Sequence, residues 1–327
     1  MRVLLTGATG LVGSHTAAAL ARDDFALRVL VRDPARLERA LAPLGVKEPE
    51  VVCGDVTDPG VLAAALTGCD AVVHAAALFT LDRRRAAEIT RTNVSGTRNV
   101  LGAAARLGLD PIVHVSSIAA LFPPDGALLT TATSVKQPRD PYAASKADAE
   151  RIARQLQDDG APVVIVYPGQ IWGPHDPTFG DGIRATLGYL RAGLFPWTPG
   201  GFPMIDARDL AAILRAALAP GRGPRRYMAG GPFVTPRTLA DAFERVTGRR
   251  VRTPRVPGAL MRGVGRIGDW SRHLGFSHGL TREAMVTLTR GVPCDDAPTL
   301  AELGTSLRPL DETLRDTLGW LATSARF

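Results

Sequence analysis

Residues 3 to 13 read Val3-Leu4-Leu5-Thr6-Gly7-Ala8-Thr9-Gly10-Leu11-Val12-Gly13, a β-branched and aliphatic run that breaks into three glycines spaced three apart. An alanine-rich helical pattern, Ser14 to Ala21, follows at once. The order is strand, tight turn, helix. Gly7 permits the turn, Gly10 lets the backbone approach a ligand, and Gly13 lets helix and strand pack closely. The amides that open the helix then face outward with the positive end of its dipole, which suits a pyrophosphate. In a chain with 34 glycines the spacing alone carries little. The strand before it and the helix after it make it a dinucleotide site.

Working outward, Ala26 to Val31 is a second short strand that ends in Arg32-Asp33-Pro34. In a dinucleotide fold an acidic side chain here bonds the ribose 2′-hydroxyl, whereas an arginine suits a 2′-phosphate. Arg32 offers a planar guanidinium for that phosphate, with Arg36 or Arg39 in reach one turn on. Asp33 takes the acidic role if the strand runs one residue longer. The reading favours NADP and leaves NAD open. Val51 to Asp55 reads as a third strand and Val61 to Leu66 as the helix behind it. Ala71 to Ala77 is a fourth strand whose small carboxyl end lets a cofactor lie against it, with His74 a satisfied core group. Ile112 to Val115 is a fifth, delivering Ser116 and Ser117. Strands and helices alternating at this pitch predict an α/β Rossmann fold, a doubly wound parallel sheet with ligands at the carboxyl ends of its strands.

Asp140-Pro141-Tyr142-Ala143-Ala144-Ser145-Lys146 opens a helix running to about Gln157. Tyr142 and Lys146, four apart, share a face. With four tyrosines and only three lysines in the chain, chance supplies roughly 0.04 such pairs. A phenol with a pKa near ~10 exchanges protons poorly at neutral pH, and a nearby ammonium is expected to lower it into the range of a general acid or base. A serine from the end of strand five would hold a substrate oxygen where charge develops.

The 327 residues suffice for one large or two modest domains, and a composition of 45% hydrophobic and 22% charged residues is that of an ordinary globular protein. With no run of 18 apolar residues and no leader-like start, the expectation is a cytoplasmic protein without a membrane partner. Cys53, Cys69 and Cys294 are too scattered for a disulfide frame or a metal site. The basic residues behind the formal charge of +7 read as dispersed, with clusters such as Arg83 to Arg85, Arg225-Arg226 and Arg249-Arg250 in separate parts of the chain and without interleaved aromatics. That argues for solvated surface charge and against nucleic acid as a partner.

Together, Thr6 to Gly13, Gly54-Asp55-Val56, Val73 to Ala77, Ser117, Tyr142 with Lys146, and Tyr167-Pro168-Gly169 resemble an extended short-chain dehydrogenase/reductase of the NAD-dependent epimerase/dehydratase superfamily. The resemblance spans residues 1 to about 235 and implies roles position by position. Gly7, Thr9, Gly10 and Gly13 would form the phosphate loop, with amides from Leu11 and Val12. Asp55 and Val56 would bind adenine, Ala75, Ala76 and Ala77 would border the ribose, and Pro168, Gly169 and Gln170 would line the nicotinamide. Ser117, Tyr142 and Lys146 would be the catalytic trio, Tyr142 and Lys146 also contacting the cofactor. A homodimer is implied as well.

Within that family, Ile118-Ala119 follow Ser117 where sugar-nucleotide dehydratases carry an Asp-Glu pair, which argues against dehydration. Arg32 argues against the epimerases that keep NAD bound. The segment from Phe179 through Tyr189 to Trp197 is mainly apolar, either as a pocket or as plain core. The Val31 to Pro34 turn and Ser116 to Ala120 are most similar to the dihydroflavonol-reductase and 3β-hydroxysteroid-dehydrogenase branch. The expected function is hydride transfer between NADP(H) and a carbonyl or alcohol on a small, largely apolar molecule. A nucleotide-sugar epimerase with tight NAD and an NADP-binding redox sensor are the alternatives. Residues 1–170 plus about 204–233 should form the dinucleotide domain, and about 171–203 plus 234–327 the smaller, mostly helical substrate domain. Met204 to Leu210 is expected to begin a helix, with Asp209 structural.

Overall fold

A computed structural model describes residues 1–80, 82–198, 200–273 and 282–324. Seven parallel strands form the central sheet: β1 (Arg2–Thr6), β2 (Ala26–Val31), β3 (Glu50–Cys53), β4 (Ala71–His74), β5 (Ile112–Val115), β6 (Val163–Pro168) and β9 (Arg225–Ala229), in the spatial order 3-2-1-4-5-6-9. The order reverses beside β1, the switch point where an open α/β sheet leaves a crevice for ligand. Both faces are buried, so the strands read as aliphatic runs without alternation. One face packs against α1 (Leu11–Arg22), α2 (Pro34–Leu41) and α8 (Ala207–Ala216). The other packs against α3 (Pro59–Leu66), α5 (Gly96–Arg106) and α6 (Pro141–Asp158).

A smaller sheet of β7 (Gln170–Trp172), β8 (Phe202–Asp206) and β10 (Phe233–Val234) carries a third apolar cluster. Around it stand α7 (Asp181–Arg191), α9 (Pro236–Thr247), α10 (Gly258–His273), α11 (Arg282–Arg290) and α13 (Leu310–Thr323), while α12 (Ala297–Leu303) packs on β9 and α8.

Two sequence expectations change here. Met204 and Ile205 belong to strand β8, and the helix begins only at Ala207, capped by the Asp206 carboxylate on the Arg208 amide at 2.8 Å. The fourth strand stops at His74, and Ala75 to Ala77 leave the sheet. Around the start of α8, Asp206 accepts from Thr313 Oγ1 at 2.8 Å, and Arg208 reaches Asp316 at 2.6 Å. The Arg308 amide donates to Asp209 at 2.6 Å, and its guanidinium pairs with the same carboxylate. Asp209 is thereby structural, holding the segment before α13 against α8. Among the described residues no helix is long and apolar enough to cross a membrane.

Candidate active site

Gly7, Arg32, Asp55, Ala75 and Ser117 each lie just beyond the carboxyl end of a central strand, and Tyr142 and Lys146 come to the same edge from the start of α6. Gly7 has φ +81°, open to glycine but strained for other residues, and a Cβ there would fall 2.6 Å from the Ala76 nitrogen. The turn therefore abuts Ala75-Ala76. A Cβ on Gly13 would lie 2.2 Å from the Gly7 oxygen, so this glycine is what lets α1 close onto the loop. Gly10 is different: a Cβ there would meet only the Gly7 oxygen at 3.6 Å, leaving its open side clear. Gly10 caps α1 without any side-chain acceptor, so the first amides of the helix remain available to an anion. This uncapped helix start and its glycine cradle fit the pyrophosphate of a dinucleotide.

At the end of β2 the Asp33 carboxylate caps α2, accepting from the Ala35 and Arg36 amides at 3.0 and 3.2 Å. Arg32 is largely solvent-facing and stands 3.5 Å from Asp55, which follows β3. Burial works to raise the Asp55 pKa, but the Thr57 amide and hydroxyl, both at 2.8 Å, and the charges of Arg32 and Arg91 hold it below the usual carboxylate value. Val56 is buried against Gly96 at the start of α5. Pro168 ends β6, Gly169 donates to the Ala229 carbonyl at 3.2 Å, and Gln170 opens β7.

Ser117 follows β5 and Tyr142 stands in the first turn of α6, whose Pro141 and Asp140 cap fix its entry. The Ser117 hydroxyl lies close enough to the Tyr142 phenol to favour its ionised form. Ser117 Oγ also accepts from the Ala119 amide at 3.1 Å, and the Tyr142 ring meets the edge of Phe79 at 4.8 Å between centroids. Lys146 is buried and donates to the Val115 carbonyl at 2.8 Å. The structure thus brings the Ser117, Tyr142 and Lys146 positions to one end of β5.

The electrostatics depart from the sequence reading. Burial pushes the Tyr142 phenol up to about 12; the Ser117 hydroxyl opposes this and Asp140 adds to it, with no lowering by Lys146. The lysine carries the larger useful shift: burial draws it down to about 8 against the charge of Glu150. Near pH 7 the phenol therefore keeps its proton, available for donation, while the lysine stays largely charged.

Sequence reasoning missed two residues that hold this geometry. Glu150, fully buried one turn beyond Lys146, accepts from Ser116 Oγ at 2.7 Å, Tyr167 Oη at 2.5 Å and Arg154 Nε at 2.7 Å. It ties β5, β6 and α6 together behind the trio. Its sequence signal is the shared face of Tyr142, Lys146 and Glu150 at four-residue steps. Asn93 sits in a π-helical turn (Arg91–Ser95) between α4 (Ala86–Thr90) and α5. It accepts from the Leu78 amide at 2.7 Å and donates to the Leu78 carbonyl and Ser145 Oγ, fixing the loop after β4 against α6. His74 is a satisfied core group, bonded to Thr6 and Thr97, and burial draws it down to about 3.

Residues 3–230 match the model of the NAD dependent epimerase/dehydratase family. The chain is 30% identical over 93% of its length to 91% of the 4-hydroxy-2-methyl-3-oxo-4-farnesyl-3,4-dihydroquinoline-1-oxide ketoreductase of Stigmatella aurantiaca. It is 28% identical over 98% of both chains to sterol demethylase protein B of Methylococcus capsulatus. Among solved structures it resembles gox2253, with a TM-score of 0.82 and 27% identity over 100% of this chain and 99% of that one. It also resembles the dTDP-glucose 4,6-dehydratase DesIV of Streptomyces venezuelae with NAD bound, with a TM-score of 0.74 and 26% identity over 98% and 97% of the two chains. With more than half of its length matched by the family model, on a fold and a glycine cradle of that type, the chain belongs to the NAD dependent epimerase/dehydratase family and is an NAD(P)-dependent enzyme.

Proposed function

We propose that the protein is an NADPH-dependent carbonyl reductase, reversible as an alcohol dehydrogenase, acting on a small and largely apolar substrate. The observation that carries this reading is the convergence of Ser117 and Tyr142 at the end of β5, with Lys146 buried one turn behind Tyr142 on the Val115 carbonyl. The glycine cradle from Gly7 to Gly13 and the alanines Ala75 to Ala77 hold the dinucleotide, and the nicotinamide, when bound, supplies the hydride. Ser117 and Tyr142 both donate to the carbonyl oxygen as negative charge builds there. Tyr142 then gives up its proton to that oxygen, and Lys146 supplies the charge that stabilises the phenolate left behind. Pro168 to Gln170 border the nicotinamide side. Arg32 is the 2′-phosphate ligand, a role supported by the capping duty of Asp33, which occupies the one acidic side chain at the end of β2. Ile118-Ala119 after Ser117 supply no acid and base pair for dehydration.

The apolar substrate rests on relatives named for farnesyl and sterol compounds, since Trp172, Ile183, Leu187 and Phe195 of the apolar segment and its flank are buried core of the small lobe. A panel of ketones and aldehydes assayed by NADPH oxidation tests the reading. Tyr142→Phe should cut turnover about 100- to 10,000-fold while NADPH binding stays within about twofold. Retention of a tenth of the wild-type rate overturns the role of Tyr142.

A further inference from the structure

The chain's excess of positive charge is not evenly spread. Residues 249–273 hold seven arginines (249, 250, 252, 255, 262, 266 and 272) and one acid, Asp269, and so account for six of the seven net charges. This segment is α10 with its lead-in. The one ion pair it makes among the described residues is Arg250 with Glu244 at 3.7 Å. The same helix carries an apolar row on its outside: Leu260 is 61% exposed, Val264 39% and Ile267 67%. Steps of four and three put these side chains on one stripe. Met261, one position along, turns inward to the cluster it shares with Met285 and Leu288 of α11. Arg262 and Arg266 lie across the exposed arc from the row, beyond the small residues Ala259 and Gly263. Singly exposed aliphatic side chains are ordinary, but three in one row beside concentrated arginine are not.

We propose that α10 is a docking surface for an anionic lipid bilayer, lying in the interface with Leu260, Val264 and Ile267 inserted and its arginines on the headgroups. Both halves of the surface are needed for this partner. Apolar side chains enter the acyl boundary, and arginines, with long apolar stems, bring their charge to the phosphates. A second copy of the chain fits less well, because a self-complementary contact sets six excess positive charges against six. The lead-in is joined to the small lobe by a ladder: Phe195 donates to the Arg252 carbonyl at 2.9 Å and Val256 to the Trp197 carbonyl at 2.9 Å. Exposed Leu194 and the Arg255 guanidinium, 5.4 Å over the Trp197 ring, extend the surface there. The inference concerns a face apart from the catalytic trio and stands whether or not the proposed substrate is right.

The test is sedimentation of the full chain with vesicles of phosphatidylcholine alone or mixed with phosphatidylglycerol. The protein should pellet with the anionic vesicles, stay in solution with the neutral ones, and be released at about 1 M salt, where the Debye length falls to about 3 Å. Arg262→Gln with Arg266→Gln should weaken binding about 25-fold, near fivefold per charge. Leu260→Asp with Ile267→Asp should abolish it. Both pairs should keep the wild-type melting temperature and NADPH affinity, which separates lost docking from lost folding. Absence of wild-type protein from the anionic pellet, equal binding to neutral vesicles, or unchanged binding by either variant overturns the proposal. So does a wild-type dimer in light scattering that Leu260→Asp with Ile267→Asp converts to monomer, since the row then serves a second copy.

Discussion

Replacing Glu150 with glutamine separates the charge of the buried network from its shape. The carboxylate accepts from Arg154 and Tyr167 on one oxygen and from Ser116 on the other. A glutamine of the same size keeps the first oxygen as an amide carbonyl, and its N–H can donate to Ser116 Oγ in place of accepting, so three hydrogen bonds survive. The charge does not. Breaking a fully buried ion pair costs about 3–5 kcal/mol. The Arg154 side chain keeps 17% of its exposure, so water recovers part of the loss, and about 2–3 kcal/mol is expected. At roughly 2–4 °C per kcal/mol, the melting temperature should fall by about 5–10 °C.

Glu150 also opposes the burial that lowers Lys146. Without it the ammonium loses its proton more readily, so the basic limb of the kcat/KM profile should move to lower pH. Calorimetry and a rate profile between about pH 6 and 10 read both effects. A melting temperature within about 1 °C of wild type refutes the buried ion pair. A lowered melting temperature with an unmoved profile refutes the coupling to Lys146 and leaves Glu150 a purely structural group.

Lys146 itself gives stability a distinctive pH dependence. Its folded pKa of about 8 lies below the unfolded value of 10.5, so the unfolded chain binds more protons between them and stability should rise with pH across that window. Tyr142, pushed up to about 12, acts with the opposite sign above its unfolded value of 10.0. Melting curves should show the Lys146 rise in wild type and its loss in Lys146→Met. Gly13→Ala places a methyl against the Gly7 carbonyl, and displacement of the loop should weaken NADPH binding at least tenfold in a fluorescence titration, with unchanged affinity refuting the packing role. Arg32→Ala should weaken NADPH binding about 10- to 150-fold, as loss of a hydrogen bond to a charged group does, and leave NADH binding within about twofold; equal losses for both refute the phosphate role.

The central fold was legible because its signals are local. A strand, three glycines and a helix lie within twenty-two residues, and their conformational demands are met within that stretch. Tyr142 and Lys146 were legible for a similar reason, since one helix face fixes their relation. Strand β8 was not, because Met204 to Asp206 run directly into a helix and their apolar side chains fit either period; pairing with β7 and β10, distant in sequence, decides the matter. Glu150 reads as a helix-surface acid four residues after a lysine and before an arginine. Only the sheet laid across it, with Ser116 and Tyr167 pointing inward, shows it to be buried. The Tyr142 phenol was misjudged because a neighbour in sequence was credited with lowering it, whereas burial, which only the folded structure shows, raises it.

The clasp of Asp206 and Asp209 by residues before and within α13 also orders the making of the protein. Their partners Thr313 and Arg308 lie 107 and 99 residues further along. At about 5–20 residues per second, α8 emerges from the ribosome some 5 to 20 seconds before those partners are synthesised. For that interval the two carboxylates that later sit buried between the lobes have to remain hydrated, so α8 cannot complete its native surroundings. A nascent chain stalled before residue 308 therefore presents an unfinished, acid-bearing face to the chaperones and proteases that monitor synthesis, however complete its first six strands have become.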